Sequence, residues 1–163
     1  MLVGVVSDTH DNLDLAESAV ETFEARGVEA VVHCGDVVAP FTAAVFDREF
    51  EFYAVRGNND GEWALAETVA AFGTYCGEMA ELTLGGADIA VYHGTAEPIV
   101  EALVDAGRYD YVCRGHTHER VLSEHGGTVH LNPGGLPIEG ADDAYHVATV
   151  DTDADEVEHH RIG

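Results

Sequence analysis

The apolar residues of this chain fall into short β-branched runs separated by polar, turn-forming clusters. Leu2–Ser7 reads as a buried strand, followed by the polar Asp8-Thr9-His10-Asp11-Asn12. Over Leu13–Arg26 the apolar residues Leu15, Ala19, Val20 and Phe23 lie near helical spacing, and Gly27 stands where a helix would end. Ala30–Cys34 predicts a second buried strand stopped by Gly35-Asp36, and Pro40–Arg48 a helix with proline near its start. Glu51–Val55 predicts a third strand, broken by Arg56-Gly57-Asn58-Asn59-Asp60-Gly61, and Glu62–Phe72 a further helix. The pattern then changes. Glu78–Leu84 and Ala87–Tyr92 flank Gly85-Gly86 as a hairpin, Ala96–Ala106 is helical, and Tyr109–Cys113 is a strand running into Arg114-Gly115-His116-Thr117-His118. Arg120–Glu124, Thr128–Leu131 and Tyr145–Val150 are strand-like, and Val157–Arg161 pairs with the last across the acidic turn Asp151–Glu156. A βαβαβα half followed by a mostly β half predicts one domain over residues 1–163, with two packed sheets and outer helices.

Composition narrows the function classes. The chain has 163 residues, 31 Asp+Glu against 7 Lys+Arg, and a formal net charge of -24. Every cation is Arg. So few cations make no basic stripe for nucleic acid, and none for an anionic membrane. The apolar runs are too short to span a bilayer, and Met1-Leu2 enters the first strand without a basic leader. Cys34, Cys76 and Cys113 are odd in number and widely spaced, which fits free thiols and a cytoplasmic location. The acids run from Asp8 to Glu158 without a block of like charge. That spread suits a protein of a molar-salt cytoplasm, where the Debye length falls to about 3 Å and net charge maintains solubility.

The candidate chemistry lies where the apolar strands stop. The strand ends carry Asp8 and His10, then Asp36, Asn58, His93, and finally His116 and His118. Ligand sites of α/β sheets gather outside the carboxyl ends of parallel strands, so separate segments can deliver these groups to one place. Carboxylates, an amide carbonyl and four imidazoles suit a pair of divalent transition ions rather than an all-oxygen Ca or Mg site. Each fragment alone has a bland reading as a cap, a turn or a hydrogen-bonded histidine. Their order and shared placement carry the argument. His33 reads as a core histidine; His125, His130, His146, His159 and His160 read as surface or structural; Arg56 reads as an ion-pair partner and Trp63 as helix packing.

The blocks Asp8-Thr9-His10, Gly35-Asp36, Gly57-Asn58-Asn59-Asp60, His93-Gly94 and Gly115-His116-Thr117-His118 resemble those of the calcineurin-like metallophosphoesterases. The short length and the Asp8-Thr9-His10-Asp11-Asn12 form resemble its small prokaryotic phosphodiesterase branch, which is related to the small retromer subunit. The resemblance implies a four-layer α/β/β/α sandwich of two mixed sheets flanked by helices. It implies that Asp8, His10, Asp36 and His118 hold one metal, and that Asp36 bridges to a second held with Asn58, His93 and His116. Mn is the expected ion, with Ni, Fe, Co or Zn as alternatives. A bridging hydroxide would attack a small phosphate ester in line. Asn132-Pro133-Gly134-Gly135 resembles a further block of the family and reads as a supporting turn.

Asp36, Asn59 and Asp60 are the catalytic candidates. Asn59 departs from the family, which often has histidine there; an amide cannot donate a proton as a general acid but can hydrogen-bond a phosphate oxygen. Thr95 likewise replaces a frequent histidine. The expectation is a phosphodiesterase with weak activity on esters of basic leaving groups. A phosphomonoesterase and a non-catalytic interaction scaffold are the rivals. C-terminal edge strands offer a route to a homo-oligomer.

Overall fold

The computed structural model describes residues 1–61, 63–138 and 144–163. Glu62, the expected first residue of the third helix, lies outside them. Strands β1 (Leu2–Val6), β2 (Ala30–His33), β3 (Glu51–Ala54) and β4 (Thr74–Tyr75) run parallel. On the other side of β1, β10 (His146–Asp151) and then β11 (Glu156–Arg161) add antiparallel strands, giving the order β11-β10-β1-β2-β3-β4. The second sheet has the order β5-β6-β7-β9-β8, from β5 (Met79–Leu84), β6 (Ala87–Tyr92), β7 (Tyr111–Cys113), β8 (Val121–His125) and β9 (Thr128–Asn132). Here β6, β7 and β9 are parallel, and the outer two strands are antiparallel to their neighbours.

The two-residue period of β1 divides its side chains between two cores. Val3 and Val5 meet Ile89, Val91, Tyr111 and Leu131 between the sheets. Leu2 and Val6 face the other way, with Phe23 of α1 (Leu13–Arg26) and Leu65 of α3 (Trp63–Ala70) in the same cluster. A smaller cluster of Ala90, Tyr109 and Val112 packs with Leu103 and Val104, the latter two on α4 (Glu97–Asp105), on the outer face of the second sheet. This is the expected α/β/β/α sandwich. Helix α1 begins at Asn12, whose side chain accepts from the Leu15 amide, and ends at Gly27 in the left-handed region.

Four local readings are corrected. The helix expected over Pro40–Arg48 is α2 (Pro40–Ala43) followed by a 3-10 turn, Ala44–Phe46. The tighter turn sets the buried Phe46 ring against Phe52, with centroids 5.1 Å apart. Trp63 is 73% exposed rather than packed. Leu65 and Val69 define the inward face of α3, and Trp63 lies about 200° around the helix from Leu65. Strand β7 starts at Tyr111 rather than Tyr109, and β4 is an addition too short to leave an apolar pattern.

Candidate metal centre

The parallel strands β1, β2, β3, β6 and β7 release their chains toward one end of the sandwich, and the chain bends sharply there. Asp8, His10, Asp36, His116 and His118 all have positive φ, between 44° and 72°. Such conformations cost non-glycine residues roughly 1–3 kcal/mol each and persist only where the surroundings over-determine them. Here they turn side chains from successive strand ends back to a common point. Gly115 allows the approach: a Cβ there would collide with Ser7 Oγ and Asp8 Oδ2.

The two carboxylates are fixed on one side and open on the other. Asp8 Oδ2 accepts from Ser7 Oγ (2.6 Å) and the His116 amide (3.0 Å), while Oδ1 is buried without a hydrogen-bond partner. Asp36 Oδ1 accepts from the Asn59 amide and Oδ2 from Asn59 Nδ2, both at 2.8 Å. The open oxygens face the imidazoles. Asp8 Oδ1 lies 3.4 Å from His118 Nε2 and 3.7 Å from His10 Nε2; Asp36 Oδ2 lies 3.4 Å from His10 Nε2 and 3.3 Å from His93 Nε2. Two groups result, Asp8 with His10 and His118, and Asp8 with Asp36 and His93.

Histidine tautomers follow from what stands behind the rings. His118 Nδ1 donates to the Leu136 carbonyl (2.6 Å) and His93 Nδ1 to the Cys34 carbonyl (2.7 Å). Each then presents a bare Nε2 lone pair to the centre, an arrangement that orients metal-binding imidazoles. The His93 lone pair faces two acceptors, Asn58 Oδ1 at 3.1 Å and Asp36 Oδ2 at 3.3 Å. Lone pair against oxygen is repulsive unless a proton or a metal ion lies between them. Asn58 Oδ1 also lies 2.9 Å from His116 Nδ1. His10 Nε2 is, like Asp8 Oδ1, buried and without a hydrogen-bond partner. This donor set fits divalent ions.

The electrostatics agree. Burial opposes ionisation of Asp8, but the nearby His10 and His93 imidazoles and the Ser7 hydroxyl outweigh it and hold its carboxyl below the usual value. Burial opposes Asp36 too, and the adjacent His93 imidazole together with the two Asn59 bonds holds it well below. The Asp8 carboxylate raises His10 against the effect of burial. Burial lowers His93, but the adjacent Asp36 and Asp8 carboxylates outweigh it and raise the imidazole above its usual value. His116 is lowered, by burial first and by the His93 charge next.

All nine sequence candidates reach this end of the molecule, but not all face its centre. Asp60 is buried, and its carboxylate accepts from the backbone amides of Asp36 (2.9 Å), Gly57 (2.8 Å) and Val38 (2.6 Å), so it ties the loop after β2 to the loop after β3. Asn59 Nδ2 spends one of its two N–H donors on Asp36 Oδ2. Among the other histidines, His33 bonds to Thr9 Oγ1 and accepts from the Gly35 amide, as a satisfied core residue does; burial pushes its pKa down to about 3. Asn132 supports the centre by donating to the Gly115 carbonyl (3.1 Å) and Thr117 Oγ1 (3.0 Å).

Residues 1–155 match the Calcineurin-like phosphoesterase superfamily domain. The chain belongs to this superfamily. Phosphodiesterase MJ0936 of Methanocaldococcus jannaschii is 35% identical over 138 residues, which cover 82% of this chain and 83% of its own. A solved archaeal phosphodiesterase superposes with a TM-score of 0.91 at 31% identity, covering 99% of each chain. Vps29 of Entamoeba histolytica, solved with zinc, shares the fold at 17% identity and a TM-score of 0.73, covering 99% of this chain and 98% of that one.

In this superfamily member one residue close to the centre escapes a reading based on acids and histidines. Arg114 follows β7, is 3% exposed and donates to the Gly94 and Gly115 carbonyls. Its sequence signal was a lone cation set directly between a buried strand and Gly115-His116-Thr117-His118 in a chain with only 7 cations. Arg56, by contrast, pairs with Glu78 at 3.0 Å as expected.

Proposed function

We propose that this chain is a metal-dependent phosphodiesterase whose residues 1–163 form a single domain. The observation that carries the reading is the pair of buried, unpartnered atoms Asp8 Oδ1 and His10 Nε2 inside the two Asp/His groups. The similarity to named phosphodiesterases supports it. Asp8, His10, Asp36 and His118 hold one ion; Asp36, Asn58, His93 and His116 hold the other. Mn is the ion we favour. When bound, the ions acidify a water and offset charge on the phosphoryl oxygens.

The protein's own groups do the rest. Asn59 holds both oxygens of Asp36, keeping that carboxylate ionised and fixed in orientation. Asp60 ties down the two loops that carry Asp36 and Asn58. His93 and His118 are locked by carbonyls behind them, so their lone pairs do not rotate away. With the Asn59 side chain engaged, no proton donor stands at that position, and leaving groups that are already acidic are favoured. The remaining acids form a hydrated anionic shell suited to a saline cytoplasm. Among the described residues, no helix is long and apolar enough to cross a membrane.

The test uses Mn-loaded protein in molar KCl, with bis(p-nitrophenyl) phosphate beside p-nitrophenyl phosphate and an alkyl diester. The expected result is turnover of the aryl diester first, lost with chelator, and little turnover of the alkyl ester. No turnover of any ester by protein holding two ions would replace the enzyme reading with the scaffold. Dilution into low salt should cost the protein its fold or activity; full stability there would remove the saline reading and leave the catalytic one standing.

A further inference from the structure

Among the described residues, Arg114 is one of the few buried charges that does not itself face the metal centre. It leaves the end of β7, and its guanidinium makes three bonds in a planar fork. Nε donates to the Gly115 carbonyl at 3.2 Å, Nη2 to the Gly94 carbonyl at 3.1 Å, and Nη1 to Glu97 Oε2 at 2.6 Å. A buried cation left unpaired is strongly destabilising, so these partners are part of the design of the loop rather than incidental contacts. Gly94 and Gly115 are the residues that directly follow His93 and directly precede His116. The one guanidinium therefore grips both loops that present imidazoles to Asn58 Oδ1. The main chain adds a parallel tie, the Gly115 amide donating to the His93 carbonyl at 3.0 Å.

The loop around Gly94 is shaped to receive the arginine. Gly94 has φ +99°, and a Cβ there would stand 2.7 Å from Arg114 Nε. Any side chain at position 94 would push the guanidinium out of its seat. On the far side, Glu97 opens α4 and faces solvent with about half of its side chain, so it anchors the fork from outside. Asp8, His10 and Asp36 receive no bond from Arg114. Of the first-ion group, only His118 lies on the same loop, its ring fixed independently by the Leu136 carbonyl; Asp8 touches that loop through the His116 amide, but Ser7 Oγ holds the same oxygen at 2.6 Å.

We propose that Arg114, anchored by Glu97, is a positioning residue for the second ion alone: it sets the spacing of His93 and His116 around Asn58 and so decides whether a second metal is retained. This rests on the ligand assignment proposed above. The geometry needs a planar, multi-donor cation. Lysine keeps the charge but cannot reach three acceptors lying in different directions from one ammonium.

The test is a Mn titration of the full chain followed by isothermal calorimetry and electron paramagnetic resonance, with circular dichroism as the check on folding. Wild type should take up two ions and show the broadened signal of a coupled pair. Arg114→Lys should bind the first ion with unchanged affinity, show the six-line signal of an isolated Mn, and bind the second about 10- to 100-fold more weakly, the scale seen when groups supporting a ligand are removed. Glu97→Ala, an exposed change, should weaken the second ion by a smaller factor in the same direction and remains decisive if Arg114→Lys does not fold. Unchanged binding of both ions by a folded Arg114→Lys, or equal weakening of both ions by Glu97→Ala, would overturn the proposal. A wild type that never binds more than one ion would instead overturn the ligand assignment, and the proposal with it.

Discussion

The two halves of the centre differ in how their polar atoms are satisfied. Around Asp8, His10 and His118 the groups are buried or half-buried, and two atoms, Asp8 Oδ1 and His10 Nε2, have no hydrogen-bond partner. Around Asn58, His93 and His116 the polar atoms touch one another, with Asn58 Oδ1 within 3.1 Å of both imidazoles. Asn58 is also exposed. Leaving a buried polar atom unsatisfied costs about 1–3 kcal/mol, so an ion that satisfies two of them gains more than one bound beside the exposed, water-accessible Asn58. On the ligand assignment proposed above, the first site is expected to bind its ion more tightly than the second. That asymmetry explains why a brace such as Arg114 belongs on the second side.

The strongest way to break this comparison is to remove a shared group and an unshared one. Asp36 Oδ2 lies between His10 and His93, whereas Asn58 faces only the second group. Asp36→Asn should weaken both ions and lower turnover of bis(p-nitrophenyl) phosphate on the order of 10³-fold, the scale of losing a central electrostatic group. Asn58→Ala should weaken only the second ion. Calorimetry with Mn checks both. Loss of both ions in Asn58→Ala would show that the halves are one cooperative site and not two of unequal strength.

Much of this was legible in the chain because the ligands sit at element boundaries, where apolar runs stop. Leu2–Ser7 and Ala30–Cys34 point to Asp8 and Asp36 through pattern alone. What stayed hidden depends on contacts between distant residues. Asn59 carries no sign in the sequence that one of its side-chain N–H groups goes to Asp36, 23 positions earlier. Asp60 looked catalytic by position, yet its carboxylate is turned onto backbone amides. Trp63 has the composition of a core residue and the helical angle of a surface one. Arg114 carries no metal-ligand signal at all, because its role lies in two carbonyls that any sequence would supply.

Acidity offers a second, smaller perturbation. In metal-free protein His10 and His93 are raised above 6.5, so they stabilise the fold fully below that value and lose the contribution as pH rises through their folded values. Asp8 and Asp36 are depressed below 3.8, so their contribution is present above 3.8 and is lost as pH falls through their folded values. The contribution of these four groups is thus fullest between 3.8 and 6.5, while the buried neutral His33, its pKa pushed down to about 3, opposes it below 6.5. Metal binding requires neutral imidazoles, so each displaced proton makes affinity rise about tenfold per pH unit until the raised histidines are neutral. Melting curves with and without Mn should therefore diverge with rising pH. Parallel curves would mean that neither histidine exchanges a proton for metal.

The finest test is Asn59, which contributes to the centre without belonging to either set of ligands. Asn59→Ala removes the Nδ2 bond to Asp36 Oδ2 but keeps the backbone bond to Oδ1. One hydrogen bond to a charged, partly solvated group is worth about 1.5 kcal/mol, so kcat/KM for the aryl diester should fall roughly tenfold. Because Asp36 lies between His10 and His93, both ions should weaken by similar small factors, unlike the one-sided loss expected for Asn58→Ala. Asn59→His adds a group that can donate a proton, and it should raise the alkyl-to-aryl rate ratio even if the aryl rate drops. An unchanged ratio in Asn59→His, with both metals bound, would mean that leaving-group protonation is supplied from elsewhere and that Asn59 acts only by holding Asp36.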